Sequence, residues 1–155
     1  MNSKTQLFSR HFCVLAFGVL ISFSNTSSAQ YQVNRIESIA CDEGAEQFAK
    51  AATAVGDGMS RLLNETAANS PARIETLKGF EKLEQDLTDK WYENSKKSIK
   101  INKEHNTMDP LLWEYYWKVK LSTISFAFLI AMESPGKSEL TYRRMIEDKC
   151  KNIKN

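Results

Sequence analysis

The 155-residue chain is 42% hydrophobic and 26% charged, with six glycines and three prolines. That composition excludes collagen-like, low-complexity and wholly disordered classes and fits one compact domain. Its 21 basic and 19 acidic residues give a formal charge of +2, too small a surplus for general nucleic-acid binding, which is driven by net or strongly clustered positive charge.

Residues 1–29 read as an export leader. Lys4, Arg10 and His11 form a basic stretch without an acid, and residues 12–23 are an apolar run broken only by Gly18 and Ser22. A membrane-spanning helix needs about 20 such residues, so the run is short for an anchor, which is the rival reading. Ser27 and Ala29 carry the small-x-small spacing that signal peptidases read, which predicts cleavage after Ala29. The mature chain is then a single helical domain, residues 30–155, periplasmic or secreted, with no stable membrane span. Lys4 and Arg10 leave with the leader, taking the 21 basic residues to 19 against 19 acids. The leader looks more like that of a Gram-negative bacterium. A eukaryotic source stays open, and in that case Asn64-Glu65-Thr66 is a glycosylation sequon.

Cys13 lies inside the leader, leaving Cys41 and Cys150. An even pair in an exported domain predicts one disulfide between the first and last parts of the mature chain; an intermolecular bond is the alternative. No Cys-x-x-Cys is present, so the pair is a staple and not a redox centre.

The first predicted helix spans 42–66, because Ala45, Phe48, Ala52, Val55, Met59, Leu62 and Thr66 recur at three and four. Residues 31–40 read as a helical lead-in. Gly56-Asp57-Gly58 interrupts the pattern, so the helix is expected either to kink there or to admit a close neighbour, since an interior Gly costs about 1 kcal/mol relative to Ala. Ser70-Pro71 marks the next start, a preferred cap followed by a residue preorganised for the first helical position. The buried face of that helix is predicted as Ile74, Leu77, Phe80, Leu83, Leu87 and Trp91. Its end is not defined by the pattern beyond Tyr92.

Asp109-Pro110 repeats the cap-and-proline signal and opens the most apolar mature segment, which runs to about Met132 before Ser134-Pro135-Gly136 stops it. Being apolar nearly all round, it belongs in the middle of a bundle. A last helix from about Ser138 to Lys149 carries Leu140, Tyr142, Met145 and Ile146. No strand pattern appears, so the fold class is all-α, a small antiparallel up-down four-helix bundle stapled by one disulfide. The first and last helices differ in predicted length, roughly 38 Å against 18 Å at 1.5 Å per residue. A kink at the glycines, a tilted last helix or a chain that doubles back before Cys41 would repair the mismatch.

Catalytic apparatus is sparse. His105, the one mature histidine, lies in a polar loop where a solvated role is expected, and no residue spacing matches a zinc, haem or iron–sulfur site. No catalytic residue, metal or cofactor is therefore predicted. Two features remain. Lys96, Lys97, Lys100 and Lys103 place four cations in eight residues, which suits either a solvated helix end or an anionic partner. Trp113, Tyr115, Tyr116 and Trp117 follow nearby, and such aromatics either fill a core or form interface hot spots. The leading expectation is a non-enzymatic protein-binding module, an inhibitor or immunity-type protein, that covers an acidic partner surface with those four lysines and Trp113, Tyr116 and Trp117. The alternative is a carrier holding an apolar small molecule between the third helix and the Gly/Ala face of the first. An enzyme without a recognisable motif comes third.

Overall fold

The computed structural model describes residues 27–67 and 70–152; all but the last three residues of the predicted leader lie outside them. Four helices follow in order: α1 (Ser27–Glu65), α2 (Pro71–His105), α3 (Pro110–Glu133) and α4 (Glu139–Lys151). No strand occurs among the described residues.

Each of the last three helices starts where a side chain caps it. Ser70 Oγ accepts the Arg73 N–H, the Asp109 carboxylate accepts the N–H groups of Leu111 and Leu112, and Ser138 Oγ accepts the Thr141 N–H. These bonds satisfy donors that have no partner inside a helix. Pro71 and Pro110 then occupy first-turn positions, where a missing N–H costs nothing. The α2 pattern that fades after Tyr92 in sequence continues as helix to His105. It stops at Asn106, which takes the left-handed conformation (φ 49°) and donates its N–H to Asn102 O. Buried Asn102 then shapes the turn into α3: its Nδ2 donates to Met108 O at 2.9 Å and its Oδ1 accepts the Thr107 hydroxyl at 2.7 Å.

Cross-helix pairs fix the directions. Phe48 meets Trp91 and Gly58 meets Phe80, so α1 and α2 are antiparallel. Trp91 meets Trp117 while Lys103 meets Glu114, which makes α2 and α3 antiparallel. Cys41 is bonded to Cys150 while Gly56 meets Tyr142, which sets α4 against α1. The result is the up-down four-helix bundle. Within it α3 packs on all three other helices, α1 on α3 and α4, and α2 chiefly on α3. The main core joins Ala45, Phe48, Ala52 and Val55 of α1 to Ile124, Ala127 and Phe128 of α3 and to Tyr142 and Ile146 of α4.

The expected kink is absent: α1 runs unbroken through Gly56-Asp57-Gly58. Close approach explains these glycines, because a Cβ at Gly56 would lie 1.9 Å from Tyr142 Oη and one at Gly58 would lie 2.6 Å from Phe80 Cζ. The length mismatch persists: the Gly136 N–H donates to Gly56 O at 3.3 Å, so α4 lies beside α1 only between Cys41 and Gly56, and α1 overhangs it at both ends. Cys41 is not the start of its helix but sits well inside it, so the 14 residues of 27–40 project roughly 21 Å beyond the staple.

Two expected core positions of α2 face outward. Ile74 and Leu83 are both exposed, because nine residues make two and a half helical turns and set them on opposite edges of a helix supported mainly on one side.

Candidate functional site

The four lysines lie on the exposed part of α2 near its C-terminal end, each beside an acid or a ring except Lys97. Lys96 Nζ is 2.5 Å from Glu93 and 5.0 Å from the Tyr92 ring centroid; Lys100 is 3.8 Å from Glu104. Lys103 reaches across to α3 and pairs with Glu114 at 2.7 Å. The hydrogen bond that Lys96 donates to the Glu93 carboxylate raises the lysine's pKa. All four side chains face solvent, yet the neighbouring carboxylates offset much of their charge. Tyr92 and Ile101, both exposed, stand among them.

The aromatic group near the start of α3 is placed differently. Tyr116 and Trp117 are buried, and Trp113 is half-buried with its ring stacked on Tyr116 at 4.7 Å and its Nε1 donating to Ser98 Oγ at 3.2 Å. Trp91 joins them from α2, 6.4 Å from Trp117. These rings form a second core under the lysine-bearing part of α2 and support that surface from beneath. Only Trp113 contributes at its edge.

Inside this aromatic group lies a polar cluster that the sequence reading passed over. Lys120, 8% exposed, places Nζ 2.9 Å from both Glu43 Oε2 and Tyr116 Oη, and the Tyr116 hydroxyl donates to the same Glu43 oxygen. The ammonium also lies 5.4–5.8 Å from the ring centroids of Trp91, Tyr116 and Trp117, within the range of cation–π attraction. The Tyr116 hydrogen bond holds the Glu43 carboxyl below its ordinary range, against the opposing effect of burial, and Lys120 adds to it. Burial pushes the Tyr116 phenol up, and the Glu43 carboxylate adds to that. Burial works against the Lys120 charge, but the bonds to Tyr116 and Glu43 outweigh it and raise the pKa. Chemically, the cluster keeps all three groups in their ordinary charge states at neutral pH. Next to Tyr116 in sequence, Tyr115 donates to Glu37 at 2.8 Å, and on the α4 side Lys151 ion-pairs with Asp42 and Glu147.

A sequence signal for Lys120 existed. It continues Trp113, Tyr116 and Trp117 at three- and four-residue spacing toward Ile124, Ala127, Phe128 and Ala131, so it occupies the buried stripe.

His105 is the last residue of α2 and is exposed. Among the described residues no group of His, Cys, Asp and Glu is placed to hold a metal ion, and no helix is long and apolar enough to cross a membrane. The small-residue face of α1 is filled: Thr123 closes on Gly44, Tyr142 on Gly56 and Phe80 on Gly58. Open depressions lie elsewhere, one lined by Asn34, Glu37, Ser38 and Lys151 and another by Asp57, Ser60 and Arg61. Comparison with protein-family models, curated proteins and solved structures finds no match to this chain.

Proposed function

We propose that the mature protein is an exported, non-enzymatic binding module that acts by covering another protein, in the manner of an inhibitor or immunity-type protein, in the periplasm or outside the cell. The observation that carries this reading is the state of α2. Of its 35 residues the only fully buried ones are the polar Ser95 and Asn102. Leu77, Phe80, Leu87 and Trp91 are half-covered, and Ile74, Leu83, Tyr92 and Ile101 are exposed. A long helix left this open supports a role at an interface, where apolar and aromatic side chains supply affinity and charged ones orient the partner.

The contact surface is assigned to Lys96, Lys97, Lys100 and Lys103 with Tyr92, Ile101 and the edge of Trp113. Tyr116 and Trp117 hold the surface in shape from below. The partner is expected to present carboxylates that compete with Glu93, Glu104 and Glu114 for these lysines.

The test starts from the protein isolated gently from its own host compartment and weighed intact by native mass spectrometry. A second protein at fixed stoichiometry is the expected result. Replacing the four lysines by Glu should then abolish that complex at low ionic strength while helix content is retained. Unchanged affinity in that variant removes this surface from the account, and a retained small apolar mass in place of a protein replaces the binding-module reading with a carrier.

A further inference from the structure

The residue that follows the predicted leader, within the first turn of α1, has its own chemistry. Cleavage after Ala29, on which this inference rests, makes Gln30 the first residue of the mature chain. We infer that Gln30 is a modification site, cyclised to pyroglutamate in the mature protein. The unprotonated α-amine attacks Cδ of the residue's own side-chain amide. A carbon–nitrogen bond forms in a five-membered lactam, the bond from Cδ to the side-chain nitrogen breaks, and that nitrogen leaves as ammonia with the proton lost by the amine. No oxidant, reductant or co-reactant is required.

The structure leaves this reaction open to Gln30. The residue is exposed, and its side chain makes an exposed hydrogen bond to Asn34 Oδ1 at 2.9 Å. It takes no part in the core, so losing the amide nitrogen costs the fold one surface contact. Cys41, where α4 is stapled on, lies 11 residues further along α1, and Tyr31 beside Gln30 is 67% exposed. Neither α4 nor the core therefore shields the new terminus. The lactam also suits the position: the first N–H groups of a helix have no intrahelical partner, so tying up the backbone nitrogen breaks no bond. Finally, Gln30-Tyr31-Gln32-Val33, the first turn left after cleavage, holds no acid, so a free ammonium there would lie uncompensated on the positive end of the helix dipole. Cyclisation removes that charge.

The experiment is an intact-mass measurement on the full exported protein taken directly from its compartment, followed by mapping of the N-terminal peptide. The expected mass begins at Gln30, is one ammonia lighter than that chain, resists sequential degradation from the N-terminus, and becomes degradable after treatment with pyroglutamate aminopeptidase. A Gln30→Ala variant should be exported equally and carry a free amine. A chain that begins at Gln30 with a free amine overturns this inference and leaves the export reading standing. A chain that begins elsewhere, or keeps the leader, overturns the cleavage reading as well.

Discussion

Lys120 is the point at which the buried polar groups of α1 and α3 converge, and its two partners are not equivalent. Glu43 is half-exposed, with 50% of its side chain accessible, whereas the Lys120 side chain is 10% accessible. Removing the carboxylate strands a cation among indole and phenol rings, while removing the cation leaves a carboxylate that water and Tyr116 still serve. Glu43→Ala is therefore expected to cost about 2 kcal/mol and Lys120→Met less than about 1 kcal/mol, since an apolar side chain of similar length can occupy the cage. Urea midpoints of the two variants decide this; equal losses would show that the pair, and not the stranded ammonium, sets the energy. The same cluster shapes the pH dependence. The folded pKa of Glu43 lies below its ordinary value of 4.5, so its contribution is complete above that value and is lost as pH falls through the folded one. Tyr116 and Lys120 are raised above 10.0 and 10.5, so theirs is complete below those values and is lost as pH rises through the folded ones. Glu84 opposes the acid limb, because burial raises its pKa despite a hydrogen bond to Ser125. Stability should form a plateau with an acid edge that flattens in Glu43→Gln, which unfolding curves between about pH 3 and pH 7 would show.

The helix starts were legible in sequence because capping is local: Ser70-Pro71, Asp109-Pro110 and Ser138 each supply the oxygen that the first turn needs within four residues. The apolar stripes of α1 and α3 were legible for the same reason. What the pattern could not supply is the identity of a neighbour on another helix. Gly56 and Gly58 read as a weakness of α1, yet each is the floor under an aromatic side chain, and only the packed helices reveal which one. Lys120 and Thr123 fell within an apolar stripe without their partners Glu43 and Gly44 being in view. Ile74 and Leu83 continue the apolar stripe of α2 and yet are exposed, because periodicity describes a face, not how much of it a neighbour covers. These glycines separate propensity from packing. Gly79 meets nothing within 4 Å of an added Cβ, so Gly79→Ala should stabilise by about 0.5–1 kcal/mol, the ordinary helix preference. Gly56→Ala carries the same preference and should nonetheless destabilise by about 2 kcal/mol, because its Cβ displaces the Tyr142 phenol. Tyr142 Oη there donates to Ser134 O and accepts the Lys137 N–H, which together hold the turn before α4. Thermal unfolding of both variants checks the opposite signs.

The molecule as a whole divides unequally across its disulfide. Cys41 and Cys150 are 109 residues apart in sequence and enclose a loop that contains all of α2 and α3, so the bond ties α4 to α1 and leaves α2 held by non-covalent side-chain contacts, chiefly with α3. Replacing both cysteines by Ala should cost about 2–5 kcal/mol through the unfolded chain's regained freedom, and should loosen α4 first, since α4 has only 13 residues. The cost to α2 follows a different rule. Its opening uncovers half-covered Leu77, Phe80, Leu87, Trp91 and Ile99 and the buried Ser95 and Asn102, and breaks the Lys103–Glu114 ion pair and the Trp113–Ser98 hydrogen bond. Opening α1 or α3 exposes Phe48, Val55, Ile124 and Phe128, all essentially inaccessible. Cooperative units open at free energies set by the apolar area they uncover. Native-state hydrogen exchange should therefore show α2 amides opening at a lower free energy than those of α1 and α3, with the α2 value unchanged when the cysteines are removed. Equal protection across the three helices would mean that α2 is not a separate unit. If α2 is the surface that covers a partner, the complex should raise its opening energy toward the global value, because ligand bound only to the closed form adds its binding free energy to that opening. A rise confined to α4 would place the interface on the other side of the bundle.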